Sequence, residues 1–356
     1  MDKISARSRV VQNRHMVTQI NPFHQHVWRS VNQLQIGLGT DGILLEDLTP
    51  HQERFIASLI SGIADDQVES LSKQLKLEAS EAHRIVATLK PVLLEQIMAE
   101  PATLDSMNGE LVRATLIRNS DGFATLAKRN AKSVFISSLD RSGAIMANSL
   151  AQAQIGTIAS DDLSKVTKSE IGTYLKSLEN CARIAALDYQ FRELGIATRV
   201  KNQTFEKASV SILIAQQCLL PKKYAPLMNR ELPHIGVIFD HGGVTISPLI
   251  RPGETACLYC LEQNKARQDA DWPVIASQLT TSRLAFNDSA SNAFAAAAVT
   301  KIVTDWVDVG TSSDYGYRFD SRSGSVETLE IEPNNGCDCL IQLRIKQGEK
   351  PGALAS

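Results

Sequence analysis

Four cysteines near the C-terminal end constrain this chain more than any other feature. Cys257-Leu-Tyr-Cys260 supplies one pair and Cys337-Asp-Cys339 the other, separated by enough chain for a helix and a hairpin. Two thiol pairs on tight turns can converge on one tetrahedral Zn²⁺, because this borderline-soft ion suits thiolate and a CxxC turn aims both sulfurs at one point. The ion would clip the end of the chain back onto its body. A CxxC can also be a redox pair, and in an oxidising compartment the four thiols could form two bridges. The CxC turn is tighter than the commonest structural spacing. With four of the six cysteines in these two turns, structural zinc is the favoured reading. Cys181 and Cys218 stand in apolar company and read as small core residues.

At 356 residues the chain can bury a large core, and its length suggests about two domains. Its 37 Lys and Arg against 39 Asp and Glu leave a net charge of −2, so nothing global points to nucleic acid. No stretch approaches the roughly 20 apolar residues of a membrane span. No apolar run follows the basic residues at the start, so no secretory signal is expected. The expectation is a soluble cytoplasmic protein, in which free thiols and zinc are at home.

Residues 1–26 read as a polar, solvated arm. Its His15, His24 and His26 are too irregularly spaced to favour a metal site. Residues 27–98 begin with three short strands: Val27–Val31, Asn32–Gly37 and Ile43–Leu45. Helical spacing follows over 50–62, 65–75 and 79–94, the first opened by Thr49-Pro50. Three strands and three helices make a winged-helix-like module. That fold often reads DNA, but the third helix offers only His83, Arg84 and Lys90 as basic groups, with Glu78 and Glu81 at its start. Residues 99–108, with Pro101, form the linker. From 109 to 356 the fold class is α/β. Strands are expected at 133–137, 155–159, 198–200, 210–215 and 235–239, and helices at 144–154, 169–194 and 282–309. A hairpin of 317–319 against 326–331 precedes the second cysteine pair. Such alternation argues for a doubly wound, mostly parallel sheet covered on both faces.

In that architecture the first strand-to-helix turn is where a glycine-rich loop would cradle phosphates. Here the turn is Ser138-Leu-Asp-Arg-Ser-Gly143, and only Gly143 remains of a GxGxxG pattern. Asp140 puts negative charge where a phosphate would need a positive helix end. The turn therefore reads as packing rather than nucleotide binding. Asp161-Asp162 after the next strand could hold a ribose or a metal, or could cap the following segment. Gln216 and Gln217 stand where an acidic magnesium ligand would be sought. No spacing of Ser, His and Asp, or of Cys and His, suggests a nucleophilic triad.

The run Ile246-Ser-Pro-Leu-Ile-Arg-Pro-Gly-Glu-Thr-Ala-Cys-Leu-Tyr-Cys-Leu-Glu, then Asp269-Ala-Asp-Trp272-Pro273 and the later Cys-Asp-Cys, resembles the ThiF-like component of azole-forming peptide cyclodehydratases. These are leader-binding proteins of ribosomally made, post-translationally modified peptide pathways. The resemblance covers nearly the whole chain. It implies a winged-helix-like recognition module followed by a ThiF/MoeB-like domain, with structural Zn²⁺ on Cys257, Cys260, Cys337 and Cys339. It also implies that a leader peptide adds a strand at Ile43, Leu44 and Leu45 and lies against a helix face with Arg84 and Ala87. Active ThiF-like enzymes adenylate a carboxylate with an intact glycine loop, a basic residue and an acidic metal ligand. This chain departs from that pattern around Gly143, Asp161 and Asp162. ATP is therefore not expected, and a non-catalytic subunit presenting a precursor to a YcaO-type cyclodehydratase is. The alternative is an adenylating enzyme acting on a peptide carboxylate. A homodimer is a further implication of the resemblance.

Overall fold

A computed structural model describes residues 17–39, 42–95, 108–280, 284–334 and 337–340. His15, most of the expected linker and the first residues of the expected helix 282–309 lie outside them. Two compact units divide the chain at Leu126 and Ala127. No described helix is long and apolar enough to cross a membrane.

The first unit contains β1 (Val17–Thr18), β2 (His26–Ser30), β3 (Gln33–Ile36), β4 (Ile43–Leu45), α1 (Pro50–Ser61), β5 (Ile63–Ala64), α2 (Val68–Gln74) and α3 (Ala79–Leu89). Then come α4 (Gly109–Arg118) and α5 (Gly122–Asn130), which runs across the division. Strands β2, β3 and β4 form an antiparallel sheet in that order. Leu34 pairs with Leu45, which places both on the buried face. Helix α1 starts where Thr49 and Gln52 cap each other reciprocally and Pro50 supplies a ready-made φ. The third helix stops at Leu89, short of the expected residue 94. Pro91 tightens the chain into a 3₁₀ turn, and Leu93 then bridges Ile20. Residues 17–21, expected in the polar arm, instead enter this unit. Strand β1 pairs with β5, Ile20 is fully buried, and the Asn21 side chain donates to Thr115 O and Asn119 Oδ1. These bonds also place α4 in the first unit, beyond the expected boundary at 99–108.

The second unit is α/β. Its elements are β6 (Ser133–Ile136), α6 (Arg141–Gln152), β7 (Thr157–Ser160), α7 (Arg183–Glu193), β8 (Arg199–Asn202), β9 (Val210–Gln216), α8 (Pro221–Asn229), β10 (His234–Asp240) and β11 (Gly243–Ile246). Helices α9 (Leu258–Gln268), α10 (Trp272–Leu279) and α11 (Ser289–Val309) and strands β12 (Gly316–Asp320) and β13 (Val326–Leu329) complete it. The sheet order is β13-β12-β11-β10-β9-β6-β7-β8, with β8, β7, β6, β9 and β10 parallel and the rest antiparallel. Alternate strand residues serve two cores. Ile212, Val237 and Phe239 pack with α6, α7 and α11, whereas Leu213 and Ile238 pack with α8 and α9.

A single helix over 169–194 does not form. Thr167 and Glu170 cap a 3₁₀ turn, Gly172 and Asn180 take positive φ of 105° and 68°, and only Arg183–Glu193 is helical. Each left-handed residue ends a helical run, so apolar spacing alone misreads the segment. The last long helix likewise begins at Ser289, capped by Asp288, rather than at 282.

Candidate functional site

In a doubly wound sheet the ligand crevice lies at the switch point, here between β6 and β9. Beyond β6 the chain turns through Ser138, Leu139 and Asp140 into α6. Asp140 Oδ1 accepts from the amides of Ser142 at 3.0 Å and Gly143 at 3.1 Å. The first amides of the helix, which would cradle a phosphate, are thus taken by the chain's own carboxylate. Burial pushes the Asp140 pKa up, against those two amides and the Arg183 charge. At Gly143 a Cβ would sit 1.8 Å from the Ser138 carbonyl oxygen. This glycine serves the close approach of helix to strand.

A second group of carboxylates is consumed in the same way. Asp162 Oδ2 accepts from Leu139 N at 2.8 Å and from Arg183 Nη1 at 3.0 Å, and Arg183 Nη2 reaches Glu170 Oε1 at 2.5 Å. Tyr174 Oη donates to the Leu139 carbonyl at 2.6 Å. Burial works to raise the Asp162 pKa, but the bonds from Ser164, Leu139 and Arg183 outweigh it and hold the carboxyl below its usual range. Asp161 is exposed. Gln216 Oε1 accepts from Phe286 N at 2.9 Å, and Asn287 Nδ2 donates to Ser142 Oγ at 2.7 Å, so the segment before α11 is fastened across the crevice. What remains is a cavity of about 620 Å³ with Asp140, Glu170 and Asp288 against one guanidinium, Arg141. Its charge disfavours a polyphosphate unless cations accompany it.

The four sequence-predicted thiols do come together. Cys257 is the residue before α9 and Cys260 lies in its first turn, where the positive helix end favours thiolate. Their Sγ atoms are 3.9 Å apart. Cys257 is 3.7 Å from Cys337, Cys260 is 3.6 Å from Cys339, and all four lie within 4.8 Å of one another. A disulfide needs about 2.05 Å. A tetrahedron with Zn–S near 2.3 Å has edges of about 3.8 Å. The cluster could hold a metal ion. Bonds from the neighbouring thiols Cys257 and Cys339 and from the Asn334 amide lower the Cys260 pKa against the cost of burial, so one member is ready to ionise. Of the other two cysteines, Cys218 is half-buried while Cys181 is exposed rather than in the core. Cys181 follows the left-handed Asn180 in the turn that leads to α7.

In the first unit, β4 is an edge of its sheet. Among the described residues no strand pairs with its outer side. Leu45 is buried, Leu44 is exposed and Ile43 is half-buried. In α3, Ala82, Ile85 and Leu89 share a core with Leu45, while Arg84 and Ala87 lie on the solvent face. The Asp162–Arg183–Glu170 network was not foreseen. Thr167-x-x-Glu170 is a readable capping signal, but Arg183 pairs 13 and 21 residues away and carries no local signature.

No protein-family model matches the chain, and no curated protein does. Solved structures do match. E. coli MccB with AMPCPP and selenomethionine MccA superposes at TM-score 0.66 and 14% identity, over 91% of this chain and 99% of that one. The microcin C7 biosynthetic enzyme MccB in complex with N-formylated MccA gives 0.67 and 13%, over 91% and 100%. PaaA gives 0.56 and 16%, over 74% and 96%. At these identities the likeness establishes the fold. The chain shares the fold of MccB over 91% of its length.

Proposed function

We propose that the chain captures a ribosomally made precursor peptide by its leader, which adds a strand to β4 and lies against the Arg84 and Ala87 face of α3. The observation that carries this is the β4 edge, whose outer main-chain groups no described strand takes. Main-chain pairing supplies affinity, and the alternation of exposed Leu44 with inward Ile43 and Leu45 gives the leader side-chain positions to read. The occurrence of MccB in complex with MccA supports the same use of the fold. Zn²⁺ on Cys257, Cys260, Cys337 and Cys339 pins the end of the chain. Titrating labelled leader peptide against the full chain tests the reading. Saturable binding that a Leu44→Lys variant weakens supports it, and no binding at any concentration ends it.

For the second unit two readings compete. The crevice residues favour a silent frame that presents the core of the precursor to a YcaO-type partner, since Asp140 takes the helix amides a phosphate would need and Arg183 is already paired with Asp162 and Glu170. The likeness to MccB bound to AMPCPP favours the other, adenylation of a peptide carboxylate with ATP and Mg²⁺. On that reading the Asp140 cap must yield when nucleotide enters. Pyrophosphate exchange on the purified chain separates them, because a frame shows no exchange with or without peptide.

A further inference from the structure

Three of the four clustered thiols, Cys257, Cys337 and Cys339, line a cavity of about 380 Å³. Cys337 is half-buried and the other thiols of the cluster are buried, so a small reagent entering this cavity meets Cys337 first. Cys257 lies 3.7 Å from it, and Cys260 lies 3.6 Å from Cys339. Both separations are shorter than the 3.9 Å within the Cys257–Cys260 turn. The two turns are also held in register by contacts that need no ion. Gly253 N donates to Cys339 O at 3.0 Å, Asn334 N donates to Cys260 Sγ at 3.4 Å, and Leu340 shares a core with Leu329 and Ile331. A thiolate is a nucleophile as well as a metal ligand, so this arrangement also decides what an oxidant would do.

We propose that the cluster is a site of oxidative modification by peroxide, which joins Cys257 to Cys337 and Cys260 to Cys339, releases the ion and leaves the chain end fastened covalently. The Cys337 thiolate attacks one peroxide oxygen, becoming a sulfenic acid as the other oxygen leaves as hydroxide. The Cys257 thiolate then displaces a second hydroxide from that sulfur and forms the disulfide. Each bridge takes two electrons from two thiolates and reduces one peroxide, so two peroxides complete the conversion and free one Zn²⁺. Bridges between the turns span 80 and 79 residues. They restrict the unfolded chain far more than a bridge inside either turn, which would also leave the end of the chain unattached. Release of zinc rests on the ion proposed for this cluster, but the pairing follows from the thiols alone.

The test treats the full-length chain, purified under reductant, with hydrogen peroxide. A chromophoric chelator reads zinc release, and mass mapping of unreduced peptides reads the linkages. Dimedone added at limiting peroxide traps the first sulfenic acid of the cluster. The expected results are zinc release in step with loss of the four thiols, dimedone on Cys337 ahead of its three neighbours, and the Cys257–Cys337 and Cys260–Cys339 linkages. The oxidised chain should melt about 5 °C or more above the reduced chain stripped with EDTA. A Cys181→Ser, Cys218→Ser double variant should give the same map, which excludes the two cysteines outside the cluster. Linkage within the turns, bridges between molecules, sulfinic acid in place of disulfide, or a melting temperature no higher than that of the stripped chain overturns the proposal. First labelling of buried Cys260 overturns the route of entry. Should the purified chain carry no zinc while both linkages form, the pairing stands and the reading of the cluster as an ion site falls.

Discussion

The edge of β4 and the crevice above β6 and β9 are both places where main-chain donors reach a surface, and the chain treats them in opposite ways. At the edge, no described strand meets the outer side of Ile43–Leu45. In the crevice, Asp140 takes two amides, Asp162 takes a third, and Arg183 and Tyr174 close what is left. Groups satisfied internally maintain shape, whereas groups left open are available to a partner. Substitutions in the crevice and at the thiols should therefore cost stability without costing leader binding, and substitutions at the edge should do the reverse.

The largest effect is expected at the thiols. Cys260→Ser should lower bound zinc and drop the melting temperature by about 10 °C or more, since metal binding to such a cluster is also folding free energy. Metal analysis and calorimetry check both. Arg183→Met removes the one cation shared by the largely buried Asp162 and Glu170 and should cost about 3–5 kcal/mol in urea unfolding, with leader affinity unchanged. Loss of leader binding in that variant would break the division between the regions. Fully buried His234 gives a pH signature. Burial lowers its pKa from 6.5 to about 4, so the unfolded chain takes up a proton before the native one does. Its share of stability is complete above pH 6.5 and falls by about 3 kcal/mol as the pH drops to about 4. His234→Leu should flatten that slope in melts across this range. At the edge, Leu44→Lys should weaken leader binding about tenfold with the melt unmoved. The smallest effect is Asp140→Ala, worth about 1 kcal/mol of cap. By uncovering the Ser142 and Gly143 amides it should raise affinity for ATP, measured by calorimetry.

Much of this was legible in the sequence because its signals were local. Period-two alternation marked β2 and β3, apolar runs marked β9 and β10, and the strand and helix alternation gave a doubly wound sheet. The cysteine spacings put Cys257, Cys260, Cys337 and Cys339 in one cluster across some 80 residues of chain. The turn from Ser138 to Gly143 was legible as packing, but Asp140 was read only as negative charge at the helix end, and its cap on the Ser142 and Gly143 amides came from the structure. What escaped was non-local or conformationally peculiar. The chain from 169 to 182 has helix-compatible spacing, yet left-handed Gly172 and Asn180 fold it back so that Arg183 reaches Glu170. Ile20 looked like part of a polar arm because its burial depends on Leu59 and Leu93, some 40 and 70 residues on. Cys181 was misplaced for the converse reason: Leu178 and Ile184, three residues to either side, are buried while Cys181 lies in the exposed turn between them.

The Asp140 side chain is, in effect, an inhibitor attached by a covalent tether to the site it blocks. A tethered competitor acts at a local concentration of about millimolar or higher, whatever the bulk solution holds. Any anion arriving at the α6 terminus must therefore outbid a rival that cannot diffuse away, and protonating or relocating that one carboxylate would be enough to change the outcome.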